Sequence, residues 1–378
     1  MTSRASRSLM AFFFACVWAG AAAAPASPID ALRTKAEAGD PRAQYELGML
    51  YARSKGAPEN NEEAVKWVRK AAEQGQSYAQ CSLGVMYATG KGVVKDPMEA
   101  VKWYRQAAEQ GYASAQFNLG LMNYKGEGVA KDPTEAAKWF RKAAEQGNVF
   151  AESYLGVMYV AGEGVPKDLL EAVKWYRQAA EQGDADAQCN LGVSYSLGRG
   201  VAKDPAEAEK WLRKAAEQGH ATALYNLGDM YCNGAGVTKN LTEALKWYRK
   251  AAEQGDTDAQ FNLGQMYATG QGVRKDEIEA LAWRNLSAIS GDADAVQNRE
   301  VLARRVGKQK AYAAQRRSME LLKQIEANKT AHAAALAALS DAAPPPASET
   351  PVASPASGTP AAPNAVPPSS AAKAGTPR

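Results

Sequence analysis

Residues 83–111, LGVMYATGKGVVKDPMEAVKWYRQAAEQG, contain the pattern from which the fold of most of the chain can be predicted. The tryptophan of this stretch belongs to a series at positions 67, 103, 139, 175, 211, 247 and 283. Its last residue, Gly111, belongs to a parallel glycine series that runs from Gly39 to Gly291. Both series advance by 36 residues without an insertion. A fixed period of this length indicates stacked copies of one supersecondary unit.

The first half of each unit is predicted to be an amphipathic helix. Ala79, Leu83, Met86 and Tyr87 recur at helical spacing and mark its buried face. Gly84 follows Leu83, and the same Leu-Gly pair recurs in all seven units. A glycine inside a helix costs about 1 kcal/mol relative to alanine. We therefore expect a neighbouring helix to approach closely at this glycine.

The second half of each unit is predicted to be a capped helix. The Gly-Lys-Gly turn at 90–92 ends the first helix. Asp96 then has the position of an N-cap, Pro97 the first helical position, and Glu99 the position that completes a capping box. Gly111 is suited to the left-handed conformation that ends the helix. The other Gly-x-Gly triplets also follow helices, which favours turns over phosphate-binding loops.

The unit quoted above resembles the Sel1-like repeat, a relative of the tetratricopeptide repeat, over residues 40–291. Over seven units, this resemblance implies an all-α fold, a right-handed α-solenoid of 36-residue helix–turn–helix repeats with first helices on the concave side. Asn123 replaces the usual Tyr and Ser194 the usual Met. The first unit also lacks the Gly-x-Gly turn and the Asp cap. These departures are ordinary variations within such a repeat.

The two ends of a repeat array need caps, because the terminal units would otherwise expose apolar faces. Residues 29–39 resemble a lone second helix and are predicted to form an N-terminal capping helix. Residues 292–338 are predicted to form a C-terminal helical cap, with Met319, Leu322 and Ile325 on one side. Residues 343–378 are rich in Pro and Ala and are predicted to be disordered, as a solvated tail or as a tether to an envelope component.

The N-terminus, residues 1–24, has the pattern of a secretory signal peptide. Arg4 and Arg7 precede the apolar stretch at 9–20, and small residues follow it. Cleavage after Ala23 or after Ala26 would fit this pattern. The chain is therefore predicted to be exported, to a periplasmic or secreted location, with no integral membrane segment after removal of the signal. An uncleaved membrane anchor is the alternative.

Composition argues against several functional classes. The net charge is +4 and shows no basic bias of the kind that nucleic-acid binding requires. The chain has two histidines, and His220 is predicted to be a surface turn residue, so no metal and no cofactor is expected. Cys81, Cys189 and Cys232 form no regular disulfide framework and are interpreted as small buried apolar residues. No Gly-x-Ser-x-Gly motif is present, and no catalytic residue is assigned.

The candidate binding residues lie directly before the Leu-Gly pair. The resemblance to tetratricopeptide repeats implies that this position projects into the concave groove, where an asparagine can bind a partner's backbone or terminal carboxylate. Four units have asparagine there: Asn118, Asn190, Asn226 and Asn262. The alternative is that these amides bind neighbouring helices. Two residues beyond Leu, apolar side chains give way to Asp229 and Gln265, which predicts a more polar groove toward the C-terminal end.

Together these observations predict a non-catalytic scaffold or adaptor of the bacterial cell envelope. Its partner is expected to be a protein or peptide held on the concave face. The alternative is a cell-wall-related hydrolase or β-lactam-binding protein, which only the resemblance implies, because some secreted Sel1-like proteins are linked to that chemistry.

Overall fold

The computed structural model of the protein describes residues 28–53 and 60–342. Within these two ranges the secondary structure is helical, without a strand. The predicted signal peptide at 1–24 and the predicted tail at 343–378 lie outside the described residues. No helix in the described ranges is long and apolar enough to cross a membrane.

Sixteen α-helices are described, together with one short 3₁₀ helix at Ala288–Ser290. Their bounds are α1 Pro28–Glu37, α2 Pro41–Arg53, α3 Asn61–Glu73, α4 Ser77–Thr89, α5 Pro97–Glu109, α6 Ala113–Lys125, α7 Pro133–Ala144, α8 Val149–Ala161, α9 Leu169–Glu181, α10 Ala185–Leu197, α11 Pro205–Glu217, α12 Ala221–Asn233, α13 Leu241–Glu253, α14 Thr257–Thr269, α15 Glu277–Ser287 and α16 Ala293–Ala342.

Helices α2 to α15 form seven consecutive pairs, each consisting of a first and a second helix. Every first helix packs on the second helix of its own unit, and that second helix packs on the first helix of the next unit. Each unit therefore contacts its sequence neighbours and leaves distant units apart, as a solenoid requires. The prediction of an all-α solenoid with seven repeats is confirmed.

The glycine of each Leu-Gly pair lies where two helices of one unit touch. A Cβ atom added to Gly84 would lie 2.7 Å from the ring of Tyr104. At Gly120 the ring of Phe140 would be equally close, at 2.7 Å. Both distances are far below a van der Waals contact, so only glycine permits this approach. The expected close contact is therefore present in the structure.

The second helices begin at side-chain caps, as predicted. The carboxylate of Asp96 accepts hydrogen bonds from the backbone N–H groups of Met98 and Glu99, at 3.0 and 3.1 Å. In the first unit, which lacks the aspartate, Asn60 accepts from the N–H of Glu63 at 3.1 Å. The asparagine thus performs the same role, because its side-chain oxygen is an equivalent acceptor.

The predicted capping box is wrong in its second half. A capping box needs the Glu99 side chain to accept from the N–H of the N-cap residue. That N–H, on Asp96, instead donates to the carbonyl of Tyr87 at 2.9 Å, and the Glu99 carboxylate pairs with Lys102. The turn brings the end of the first helix to the N-cap, so the donor is already used when the second helix starts.

At the N-terminal end, α1 packs on α2 and covers the first unit. Ala36 is fully buried there, next to Ala43 and Leu47 of the first helix. The described helix α1 falls in the segment that the sequence suggested for the cap.

At the C-terminal end, α16 is interrupted at Gly307, whose φ of 80° lies in the left-handed region. The helix beyond it packs on α15 and reaches α13. Lys310 and Arg317 of this helix pair with Glu277 and Glu279 of α15, at 2.7 and 2.6 Å.

The predicted apolar side of this C-terminal helix is partly wrong. Ile325 is buried, but Met319 is 58% exposed and Leu322 is 37% exposed. The buried stripe is instead formed by Ala314, Ser318, Leu321 and Ile325. The segment has apolar residues on two faces, and the ion pairs with α15 orient it so that the stripe with the smaller residues faces the array.

Candidate functional site

The candidate site is the first-helix face, which we define as the solvent side of α2, α4, α6, α8, α10, α12 and α14. Neighbouring first helices contact one another through side chains along this face. The hydroxyl groups of Tyr45 and Ser82 lie 3.3 Å apart, and the hydroxyl of Tyr124 on α6 donates at 2.8 Å to Glu163 in the turn that follows α8. Helices α8 and α10 also approach each other directly. The face is therefore a continuous surface rather than a set of separate helices.

Two of the four predicted asparagines bind neighbouring first helices. The Nδ2 group of Asn118 lies 3.7 Å from the Sγ atom of Cys81, one unit earlier. Asn262 hydrogen bonds to the side chain of Tyr225, again one unit earlier. These contacts agree with the alternative that the amides bind neighbouring helices. Both residues are half-buried, so part of each side chain remains at the surface.

The other two asparagines differ in exposure. Asn190 is 8% exposed and lines a cavity of about 20 Å³ together with Tyr176, Ser194 and Arg199. A cavity of this size has room for a single water molecule, which polar side chains could hold. Asn226 is half-buried on α12. The four residues share one register position but do not converge on a common pocket, and their role in binding stays a prediction.

An aromatic cluster that the sequence interpretation missed lies where α6 meets α8. The ring of Phe117 is 5.8 Å from the ring of Phe150 and 5.8 Å from the ring of Tyr154. Tyr124 extends the cluster, with its ring 6.3 Å from Tyr154. All four side chains are half-buried, so part of each ring meets solvent. The sequence contained an indication of this cluster. At the positions equivalent to Phe150 and Tyr154, most other repeats have smaller side chains.

The charge of the first-helix face also differs from that of the rest of the chain. Helices α8, α10, α12 and α14 contain no Lys or Arg. Their acidic residues are Glu152, Asp186, Asp229 and Asp258. The basic residues of these units lie in the second helices and in the turns. A count over the whole chain hides this separation, because the totals nearly balance.

Three carboxylates lie close enough to Tyr225 to influence its ionisation. Burial and the nearby charges of Asp229, Asp258 and Asp256 raise the pKa of Tyr225 to about 12. Burial also raises the pKa of Asp229, and burial together with the neighbouring Asp258 raises the pKa of Asp256. The first-helix face therefore concentrates negative charge between α12 and α14.

His220 lies in the turn between two units, as predicted, but its ring is not free in solvent. Its Nδ1 atom accepts from the N–H of Ala223 at 3.2 Å and so caps α12. Its Nε2 atom lies 2.9 Å from the carboxylate of Asp186. Because Nδ1 accepts a hydrogen bond, the neutral ring carries its proton on Nε2 and donates it to Asp186.

The cysteines described by the structure are all free. Cys81 and Cys189 are buried, as the interpretation of small apolar residues expects, and Cys232 is half-buried. Burial raises the pKa of Cys81 to about 12, which keeps this thiol protonated and unreactive. Within the described ranges, no group of three potential ligands lies close enough together to hold a metal ion.

Comparison with known families and structures agrees with the repeat boundaries. The sequence model of the Sel1 repeat matches seven consecutive segments, namely residues 41–76, 77–112, 113–148, 149–184, 185–220, 221–256 and 257–292. No match was found among curated protein sequences.

Two solved structures illustrate the likeness. The chain is similar to a Sel1 repeat protein from Oxalobacter formigenes, with 39% identity and a TM-score of 0.61, over 73% of this chain and 80% of that one. It is also similar to a protective antigen of uropathogenic Escherichia coli that displays an SLR fold. That match has 28% identity and a TM-score of 0.47, over 86% of this chain and 92% of that one.

Proposed function

The chain belongs to the Sel1-repeat family, whose members generally mediate protein–protein interaction, and on this premise we propose that it is a non-catalytic adaptor of the bacterial cell envelope. It holds a peptide or a partner domain on the first-helix face. The Sel1-repeat scaffold is generally non-catalytic, which fits this role.

One contrast within the repeats supports the proposal. Side chains that join units repeat their contacts along the array, as when Arg69 donates to the hydroxyl of Tyr87 at 2.6 Å and Arg213 to that of Tyr231 at 2.7 Å. Positions on the first-helix face change chemistry from unit to unit instead. Surface variation on a regular scaffold is what a specific binding surface requires, because identical units would offer identical contacts.

Export is part of the proposal and rests on the pattern of residues 1–24. Cell fractionation followed by intact-mass measurement of the mature protein tests it. We expect the protein in the periplasmic or secreted fraction, starting at Ala24 or Ser27. Full-length protein in the cytoplasmic fraction would contradict export without affecting the binding surface.

Site-specific photo-crosslinking tests the binding surface itself. A photoreactive amino acid is placed at Val157 on the first-helix face and, as a matched control, at Gln178 on the exposed side of the second helix α9. We expect covalent adducts with a partner protein from Val157 and none from Gln178. Adducts from Gln178 alone would assign the partner to the other side of the solenoid.

A substitution then tests the asparagine prediction separately. Asn226→Ala removes a half-buried amide, whereas Asn190→Ala removes a buried one and also affects the packing around the small cavity. We expect Asn226→Ala to weaken capture of the crosslinked partner in a pull-down while the melting temperature changes little. An unchanged affinity would leave that amide with the role of joining helices.

A further inference from the structure

The position of charge and aromatic groups on the first-helix face defines the chemistry of its occupant. We propose that this face binds an extended cationic polypeptide segment that carries an aromatic side chain. The aromatic group packs on the α6–α8 cluster, and Lys or Arg side chains reach the carboxylates of α12 and α14. This inference rests on the proposed function and specifies its partner.

The apolar half of the site is the cluster of Phe117, Tyr124, Phe150 and Tyr154 described above. Its rings are held in tilted and edge-to-face arrangements at 5.8 to 6.3 Å, and each ring remains partly exposed. Aromatic rings prefer this geometry with one another, and an added ring can extend it. A side chain that buries these ring faces would remove apolar surface from water.

The charged half of the site consists of Asp229, Asp256 and Asp258. Asp258 is exposed and Asp229 is half-buried, and within the described ranges no Lys or Arg forms an ion pair with either of them. Asp256 accepts the cap hydrogen bond of Ala259 at 2.7 Å and lies close to Asp258. Asp256 and Asp258 repel each other, and Asp229 is partly desolvated, so a bound ammonium or guanidinium group would stabilise the ionised carboxylates.

Two basic side chains from outside the first helices border this region. Arg284 of α15 is 7% exposed, lies over the ring of Phe261 at 5.3 Å and donates to the side chain of Gln265. His220 is held by Asp186, as described above. Each of these groups already has a partner, and neither pairs with Asp229 or Asp258. Asp229 accepts hydrogen bonds from Asn233 and Tyr248, at 2.9 and 3.4 Å, but these donors are neutral, so Asp229 and Asp258 can still pair with a cationic ligand.

The distance between the two halves suits an extended segment. Helices in direct contact lie about 8–10 Å apart. With on the order of 10 Å for each step between successive first helices, the three steps from α8 to α14 span roughly 30 Å, which an extended chain of about nine residues covers. An acidic partner would meet like charges along half of this route, which disfavours it.

Synthetic peptides and the full mature protein test the proposal. The probe is a fluorescein-labelled peptide with two phenylalanines at one end and two lysines at the other, separated by a Gly-Ser spacer of about nine residues. Two control peptides replace the lysines by glutamates or the phenylalanines by serines. Fluorescence anisotropy measures binding. We expect only the first peptide to bind well, with affinity that falls between about 0.05 and about 0.5 M NaCl because salt screens exposed charges.

Matched protein variants locate the site. The variant Asp229→Asn with Asp258→Asn should weaken binding of the cationic peptide about tenfold. The control variant Glu181→Gln with Glu217→Gln removes the same charge from exposed second-helix positions and should bind like the unchanged protein. A third variant, Phe150→Ala, should weaken binding of the probe peptide but not the residual binding of the control peptide that has serines in place of the phenylalanines. Circular dichroism confirms that each variant keeps its helical fold.

Four outcomes would overturn the inference. Equal binding of the glutamate peptide would exclude charge recognition, and equal loss in the two acid variants would exclude this face. Sedimentation velocity tests whether the protein associates with itself in the absence of peptide. Self-association that is abolished by the changes at Asp229 and Asp258 would assign the face to a second copy of the chain. A partner crosslinked at Val157 that lacks a cationic segment would also overturn it, while the proposed adaptor function would stand.

Discussion

Glu152 occupies a position where five other units have glutamine. In the preceding unit, Gln116 donates from Nε2 to the carbonyl of Ala108 at 3.1 Å and accepts from Gln146 at 2.7 Å. Glu152 accepts in the same way from Gln182 at 2.8 Å, but an ionised carboxylate has no proton to donate. Burial raises the pKa of Glu152 to about 7, and the nearby charge of Asp184 adds to the effect.

The substitution Glu152→Gln is therefore expected to stabilise the protein above neutral pH. The folded state holds the proton of Glu152 more tightly than the unfolded state, whose pKa is near the ordinary 4.5. The contribution of Glu152 is then most favourable below about pH 4.5 and is lost as the pH rises through about 7. We expect a gain of roughly 1–3 kcal/mol in the free energy of unfolding at about pH 8 and little change at about pH 4.

Urea denaturation at the two pH values measures this difference. Glu145→Gln, at an exposed position near the end of the preceding repeat, serves as the control and should change the free energy of unfolding little at either pH. A gain for Glu152→Gln that is the same at both pH values would contradict the assigned protonation.

Gly120→Ala tests the close helix approach at a single atom. Alanine favours a helix by about 1 kcal/mol over glycine. The added Cβ would lie 2.7 Å from the ring of Phe140, and overpacking of this kind costs about 1–3 kcal/mol. We expect net destabilisation in thermal unfolding. In a Phe140→Ala background the same change should instead be neutral or stabilising, because the opposing ring is absent; an unchanged penalty there would point to a different cause.

At the scale of the helix, the N-cap side chains of the second helices accept hydrogen bonds from the first backbone N–H groups. Asp204 accepts from the backbone N–H groups of Ala206 and Glu207 at 3.0 and 3.1 Å. Asn240 does the same in the next unit, with 3.1 Å to both Thr242 and Glu243. The array thus already contains both kinds of cap.

Asp204→Ala is expected to lower the free energy of unfolding by about 1 kcal/mol, because two N–H groups at the start of α11 lose their acceptor. Asp204→Asn keeps the acceptor and should change stability by only a few tenths of a kcal/mol, as roughly equal cap preferences predict. Chemical denaturation compares the two variants. Equal losses would indicate that the charge of Asp204, rather than its hydrogen bonds, stabilises the helix.

At the scale of the whole molecule, the C-terminal helix protects the end of the array. Leu321 and Ile325 are each 4% exposed, and burial of such side chains contributes about 1.5–3 kcal/mol each. Truncation before Lys308 should therefore lower the melting temperature and promote aggregation, since α15 would lose its cover. Truncation after Ala342 should leave the melting temperature unchanged. A large loss from the shorter truncation would show that residues 343–378 contribute to the folded array.

Much of the fold was predictable because the units repeat the same local signals. The Leu-Gly pair, the Asp-Pro start of the second helix and the glycine at its end each specify backbone geometry within a few residues. The interpretation of Glu99 was wrong because its partner depends on the turn, which brings Tyr87 to the N-cap. Met319 and Leu322 were misplaced because the helix has two apolar faces, and contacts with α15 decide between them.

The sequence by itself determined the helical repeat, its length and its caps, because these depend on interactions between residues that lie close together in the chain. Tertiary structure alone decided which residues of different units meet. It joined Phe117 to Phe150 and Tyr154, and it brought Asp256 and Asp258 near Tyr225. Those neighbours are about one repeat apart in sequence, and stacking of successive first helices is the physical reason that they share one surface.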